Sequence, residues 1–329
     1  MQAVQIQSFG LDGLKLVTRP DPGPLAPSQV LVQIKAASLN YRDLMMAKGE
    51  YNPRQPLPLV PCSDGAGEVL AVGSEVMQFK PGDRVAGLVV QDWMCGSASK
   101  DHFRSTMGGP LDGMLCEQRV FHESGLIKIP DYLSDEEAAT LPCAAITAWR
   151  ALFVEAHLKA GDSVLLQGTG GVSLFALQFA KLAGARVVII SSSDEKLARA
   201  KKMGADQLIN YKKTPEWSAG LQVDLILELG GAGTLPQSLK AVRHAGQINL
   251  IGRLSGGHGD IDLVSIFMRH LRLQGVFVGN KADFQAMNHA FELHRIQPVI
   301  DRVFKLEQAR EAFSYLESAQ HMGKIVIKL

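Results

Sequence analysis

The sequence predicts a two-domain α/β protein: a β-rich first part followed by a doubly wound parallel sheet. Three observations carry that expectation. The length, 329 residues, exceeds what one hydrophobic core comfortably serves. Up to residue 125, short apolar runs alternate with Pro and Gly turns. From Gly161 onward, apolar runs of strand length alternate with runs of helix length, the pattern of β-α-β units.

In the first part, Val30–Ile34, Gly67–Val72 and Arg84–Gly87 read as strands. They are separated by turns such as Pro20-Asp21-Pro22-Gly23-Pro24 and Pro81-Gly82-Asp83. This spacing suggests a small sheet or barrel. Asn40–Lys48 reads as a short helix within it. Ser134-Asp135-Glu136-Glu137 has the hydroxyl-then-acid spacing of a helix start. Next come a strand at Val164–Gln167 and a helix at Val172–Leu182, apolar nearly all round and therefore expected to be buried. Val187–Ile190 is the second strand of this part, and Glu195–Met203 its second helix. Leu208–Asn210, Asp224–Leu227, Ile248–Ile251 and Leu271–Val278 complete the strands. Fully apolar strands point to a parallel sheet covered on both faces. Ile325-Val326-Ile327 reads as a strand that returns to the first domain.

Lys+Arg total 34 against 33 Asp+Glu, a net charge of +1. No global field draws the chain to nucleic acid or to a membrane surface. Cys62, Cys95, Cys116 and Cys143 form no C-x-x-C pair, so neither a disulfide framework nor a zinc ribbon is signalled. Reduced thiols in the cytoplasm are the expectation. The N-terminus carries no signal-peptide pattern, and no apolar run has bilayer-spanning length.

The strongest local motif is Gly168-Thr169-Gly170-Gly171-Val172-Ser173, placed between a strand and a helix. Gly168 permits the tight turn. Gly170 admits close approach of a pyrophosphate, and the helix N-terminus offers it free N–H groups. Ser173 holds the third glycine position and is still small. About 20 residues further on, NAD sites place an acid that grips the ribose 2′-OH. Here that place falls on Ser191-Ser192-Ser193, with Lys196 one turn beyond. Hydroxyls and an ammonium suit a 2′-phosphate, so NADP is expected and NAD is the alternative. Asp194 weighs against the phosphate.

Several short segments then resemble, in joint order, the medium-chain dehydrogenase/reductase superfamily. They are Pro81-Gly82-Asp83-Arg84-Val85, Thr147-Ala148-Trp149, Gly161-Asp162-Ser163-Val164-Leu165, Lys202-Met203-Gly204-Ala205-Asp206 and Gly323-Lys324-Ile325-Val326-Ile327. The resemblance covers the whole chain and looks most like the zinc-free quinone oxidoreductase and enoyl reductase branches. It implies a GroES-like (chaperonin-10-like) catalytic domain over 1–125, completed by 285–329. A Rossmann dinucleotide-binding domain over 126–284 is implied too, with the active site in the cleft. Where zinc-dependent relatives carry Cys, His-Glu and Cys around the metal, this chain reads Asn40, Ser63-Asp64 and Cys143. No metal is therefore expected. The glycine turn looks more like the alcohol dehydrogenase version than the longer, alanine-rich turn of the quinone oxidoreductases.

The resemblance also implies roles. Thr147 would sit beside the nicotinamide ribose, and Tyr211 and Lys196 would flank the adenosine phosphate. Gly230, Ile251, Gly252, Phe277 and Val278 would contribute at strand ends, and Lys324 would reach the cofactor from the tail. Asn40 and Tyr51 are the catalytic candidates, with Tyr41 behind them. Two readings stand for each: Asn40 caps a helix or donates to substrate, and Tyr51 packs a loop or polarises a carbonyl. Without a metal, hydride transfer favours an acceptor that delocalises charge itself, such as a quinone or an α,β-unsaturated carbonyl. The alternatives are a zinc-independent alcohol or aldehyde dehydrogenase and a cofactor-binding protein without turnover. The expected partners are a small-molecule substrate and a second copy in a homodimer. Segments 93–114 and 254–267 are expected to shape the substrate pocket.

Overall fold

The computed structural model describes residues 1–329. The chain forms two compact units, Met1–Ile146 with Gly279–Leu329, and Thr147–Val278.

The first unit opens with the hairpin pair β1 (Gln2–Ile6) and β2 (Leu14–Thr18). Its main sheet contains β3 (Gln29–Leu39), β4 (Asp64–Val72), β5 (Arg84–Gly87), β6 (Gln118–His122) and β7 (Leu126–Lys128). Along β3 burial alternates, with Val30, Val32, Ile34 and Ala36 inward, as a one-sided sheet requires. The helix α1 (Tyr41–Lys48) follows β3 directly and ends at Gly49, whose φ of 76° is left-handed, a conformation that glycine adopts without a Cβ penalty. Then comes α2 (Asp135–Ala138), entered through a capping box at Ser134 and Glu137, and the chain passes into the second unit in α3 (Ile146–Trp149), of which only Ile146 belongs to the first. Wider π-helical turns flank α3 at Leu141–Ala145 and Arg150–Glu155.

The second unit is a six-stranded parallel sheet of β8 (Ser163–Gln167), β9 (Arg186–Ser191), β10 (Gln207–Asn210), β11 (Val223–Glu228), β12 (Val242–Leu250) and β13 (Arg272–Gly275). The spatial order is β10-β9-β8-β11-β12-β13. Counted from the first strand of the unit, this is the 3-2-1-4-5-6 order of a doubly wound Rossmann sheet. The helices α4 (Gly171–Leu182), α5 (Asp194–Lys202), α6 (Leu235–Ala241) and α7 (Leu263–Met268) lie along the chain between its strands. Val164, Leu165 and Leu166 are fully buried, and most of α4 is too, in line with its all-round apolar sequence.

The chain then returns to the first unit through α8 (Lys281–His294), β14 (Ile300–Lys305), α9 (Ala309–Glu317) and β15 (Lys324–Lys328). β15 pairs antiparallel with β3, with Ile325 opposite Leu39 and Val326 opposite Ser38. The returning strand read from Ile325–Ile327 is thus present. No helix is long and apolar enough to cross a membrane.

Two features differ from the sequence reading. The first unit extends to Ile146 rather than 125 and resumes at Gly279 rather than 285. The cause is that β7 belongs to the first sheet, α2 packs on β3 and β4, and α8 packs on β7. The last parallel strand covers only Arg272–Gly275, not Leu271–Val278. Beyond it one further bond, Val276 N–H to the Leu250 carbonyl at 2.9 Å, holds the chain to the sheet.

Candidate active site and cofactor edge

In the second unit the predicted cofactor residues gather on one edge. Gly168 follows β8, Ser191 ends β9, Gly230 follows β11, Ile251 and Gly252 follow β12, and Phe277 and Val278 follow β13. In a parallel sheet these are all carboxyl ends, where open α/β sheets bind ligands. Gly168 has a φ of 75°, and a Cβ added there or at Gly170 would meet nothing within 4 Å. The glycines therefore leave open space over the turn rather than making room for protein. Gly170 is the N-cap of α4 and supplies no side-chain cap, so the first N–H groups at Gly171 and Val172 face an uncapped helix start suited to an anion. Ser173, at the third glycine position, is fully buried and donates to the Gln167 carbonyl at 2.8 Å. It fits the tight packing that position demands.

Thr147 is 2% exposed, and its Oγ1 has no hydrogen-bond partner. A buried orphan hydroxyl is costly and suits a site completed by a ligand. Its helix is tied to β12 by Asn249 Nδ2, which donates to the Ala151 carbonyl at 2.7 Å, and by Gln247 Nε2, which donates to Glu155 at 3.1 Å.

At the end of β9, Ser191 is buried and its Oγ accepts from the Ser193 N–H at 3.4 Å. Ser193 caps α5 by accepting from the Lys196 N–H at 3.3 Å. Tyr211 follows β10, is half-exposed, and donates its N–H to the Ser191 carbonyl at 3.1 Å. Asp194, the acid that weighed against a phosphate, is answered by Asn210 at 2.7 Å and Lys213 at 2.5 Å. Those two hold its carboxyl below the usual range.

Sequence reasoning missed a buried network at the switch point of the sheet. Glu228 ends β11 and is fully buried. Its Oε1 accepts from the N–H groups of Gly230 (3.0 Å) and Gly231 (2.9 Å) and from Thr234 Oγ1 (2.5 Å). Its Oε2 accepts from Gln167 Nε2 at 2.7 Å and from the Ser238 hydroxyl. Gln167 Oε1 accepts in turn from the N–H groups of Leu229 and Gly230. The two neighbouring strands β8 and β11 thus clamp the loop that carries Gly230. The signal was there to be found: each strand has a three-residue apolar centre, Val164–Leu166 or Leu225–Leu227, followed by a polar last residue.

In the first unit a polar cluster forms at one end of the main sheet. The antiparallel register sets Ser38 of β3 opposite Asp64 of β4, and β15 brings Lys324 to the same end. Lys324 Nζ donates to Asn40 Oδ1 at 2.7 Å and to the Leu39 carbonyl at 2.7 Å, with Asp64 Oδ2 at 3.5 Å. Asp64 also accepts from Ser38 Oγ (3.0 Å) and Ser63 Oγ (3.3 Å). Asn40 Nδ2 lies 3.5 Å from Ser63 Oγ. Asp43 accepts from the N–H groups of Asn40 (2.9 Å) and Ser63 (3.2 Å). Burial pushes the Asp43 carboxyl up to about 6, against the pull of Arg42, and burial raises Asp64 as well. Arg42 pairs with Asp43 at 3.6 Å, donates to the Met107 and Gly109 carbonyls, and lies 5.1 Å from the ring centre of Tyr51. Tyr51 and Tyr41 are both half-exposed. Asn40 therefore both precedes a helix and joins a polar cluster. Lys324 directs its donors into that cluster.

The donor set does not fit a zinc ion. Zinc needs three or four N, S or carboxylate ligands converging on one point, and no group of three His, Cys, Asp or Glu side chains does so. Burial pushes the Cys62 and Cys143 thiols up. Asp64 is already paired with Lys324.

Comparison with known proteins covers both units of the chain. Residues 26–131 match the family model described as alcohol dehydrogenase GroES-like domain, and residues 171–292 the one described as zinc-binding dehydrogenase. A zinc-type alcohol dehydrogenase-like protein of Schizosaccharomyces pombe is 44% identical, covering 97% of this chain and 96% of that protein. The chain belongs to the medium-chain dehydrogenase/reductase superfamily. Within this family of NAD(P)-dependent oxidoreductases, an acryloyl-coenzyme A reductase of Metallosphaera sedula is 31% identical over 99% of both chains. A solved NAD-dependent alcohol dehydrogenase superposes with a TM-score of 0.90 at 33% identity, over 100% of both chains. The medium-chain dehydrogenase/reductase architecture accounts for both units, the GroES-like sheet and the Rossmann sheet.

Proposed function

We propose that the protein is a zinc-free, NADPH-dependent reductase of a quinone or an α,β-unsaturated carbonyl. The observation that carries this reading is the Asn40–Lys324–Asp64 cluster, which includes Asn40 and Asp64, two of the places where the resemblance to zinc-dependent relatives implies metal ligands. The likeness to an acryloyl-coenzyme A reductase supports an enoyl acceptor. A nicotinamide dinucleotide, when bound, supplies the hydride. The residues that would hold it are Gly168, Gly170, Gly171, Val172 and Thr147, with Gly230, Ile251, Gly252, Phe277 and Val278. Ser191, Lys196 and Tyr211 would meet a 2′-phosphate, because no carboxylate stands free at the end of β9.

The protein then has to stabilise charge on the acceptor oxygen and deliver a proton. Asn40 offers amide N–H groups for the oxygen, a donor aimed at charge that develops in the transition state. Tyr51 supplies a hydroxyl as proton relay, its ring held against the Arg42 guanidinium. An acceptor with a conjugated carbonyl needs no stronger electrophile. A screen of NADPH oxidation against quinones, enones, enoyl thioesters and aldehydes tests the reading. Turnover on conjugated acceptors, unaffected by a chelator, is expected. Turnover confined to simple aldehydes, or restored only by added zinc, refutes it. On the best acceptor, Tyr51→Phe should lower kcat roughly ten- to a thousandfold with little change in NADPH affinity. Full kcat in that variant would reduce the tyrosine to packing.

A further inference from the structure

We infer that Lys324 is a positioning residue that sets which end of the Asn40 amide is presented to substrate. The inference rests on the reductase reading above for its consequence, though not for its geometry. An ammonium has donors and no acceptor. Lys324 Nζ lies 2.7 Å from Asn40 Oδ1, so the oxygen of the amide must face the lysine and the NH2 must face away. On the NH2 side, Ser63 Oγ is a hydroxyl that can donate or accept, at 3.5 Å the outer limit of a bond. The Asp64 carboxylate, an acceptor only, takes a hydrogen bond from the same amide, and the Asp43 N–H faces the side chain in a capping box. The hydroxyl cannot choose the orientation; the carboxylate and the N–H favour the same one as the ammonium, which makes the shortest contact. Lys324 can, and it is itself fixed: 3% exposed, bonded to the Leu39 carbonyl at 2.7 Å and facing Asp64 at 3.5 Å. Asn40 is only partly buried, which leaves its NH2 within reach of an incoming oxygen. The ammonium thus turns an ambivalent amide into a dedicated donor, and the Asp64 carboxylate keeps the ammonium in place.

A double-mutant cycle on kcat tests this. Lys324→Met and Asn40→Ala should each lower kcat at least tenfold with smaller changes in KM. Together they should be no slower than Asn40→Ala alone, because the lysine acts through the amide. Lys324→Arg, also donor-only, should recover more activity than Lys324→Met. Asn40→Asp keeps the contact with Lys324 but has no N–H, and should be as slow as Asn40→Ala. NADPH affinity of Lys324→Met should stay within about twofold of the parent. Multiplying effects in the cycle, or a lysine variant whose main defect is NADPH binding, would overturn the inference.

Lys324→Met strands Asp64 as a buried charge, so the same cycle is run in an Asp64→Asn background if the single variant does not fold. A second readout is independent of turnover. The side-chain amide 1H–15N signals of Asn40 should move in Lys324→Met/Asp64→Asn relative to Asp64→Asn. Unmoved signals overturn the inference even if no acceptor is reduced, whereas moved signals in an inactive enzyme uphold it and sink only the reductase reading.

Discussion

On the proposed reading, Ser191 is the residue on which cofactor choice would turn. It ends β9 buried to 4% exposure, with Ser193 and Lys196 next to it and Asp194 paired with Lys213 at the surface. Ser191→Asp places a carboxylate that repels a 2′-phosphate and accepts from a free 2′-hydroxyl. Fluorescence titration should show the NADPH-to-NADH affinity ratio falling by about tenfold or more, roughly 1.4 kcal/mol. An unchanged ratio would mean that the serine does not read the phosphate. Asp43 gives a second residue-scale test, through stability. Its carboxyl rises from 3.8 to about 6 on folding, chiefly by burial, against Arg42 and Lys324 and with Asp64 adding to the rise. The folded state therefore holds this proton more tightly. The associated stability is complete below about pH 4 and is lost as pH rises through 6. A rise of that size is about 3 kcal/mol. The acids whose carboxyls are lowered, such as Asp83, Asp206 and Asp224, change stability at lower pH and in the opposite sense. Urea unfolding from pH 4.5 to 7 should show wild type losing stability relative to Asp43→Asn. A constant difference would place the Asp43 pKa near its ordinary value.

Among elements, the glycine turn was legible because everything it needs is local: an apolar strand, three glycines and an apolar helix within one short segment. The α1 start at Asn40 and the α2 box at Ser134 were legible for the same reason. The polar cluster was not. Asn40 and Lys324 are 284 residues apart in the chain, and only the β3–β15 pairing brings them together. The Glu228–Gln167 clamp was missed because hydrophobic patterning gives no weight to a polar residue that ends an apolar strand. Its role is now testable. Five donors converge on the two Glu228 oxygens, and a glutamine there turns one oxygen into a donor. Glu228→Gln should cost roughly 3 kcal/mol and lower Tm by about 6–12 °C. NADPH affinity should weaken too, since the clamp holds the loop of Gly230. A Tm within about 1 °C of wild type would show that the loop is held by other contacts.

For the whole molecule, the second unit leaves β13 as an edge strand. Near it in sequence, Leu254, Leu263, Val264, Phe267 and Met268 are each more than half exposed. An open edge with apolar side chains about it is a surface that proteins usually cover, and a two-fold pairing of copies is the commonest solution. A homodimer is expected by light scattering at micromolar concentration, and Phe267→Asp with Met268→Asp should yield monomers. A monomeric wild type would leave the patch to some other purpose. The threading of β15 into the first sheet also has a consequence in time. Thr147–Val278 is one continuous stretch, complete while the ribosome is still adding the tail, whereas the sheet of the first unit lacks a strand until residues 324–328 emerge. Domains fold as units during synthesis, so the nucleotide-binding unit can be finished first. The cluster around Asn40, with Asp64 waiting for its counter-charge, closes last. On the proposed reading, a nascent chain would thus hold a cofactor before it can orient the Asn40 amide.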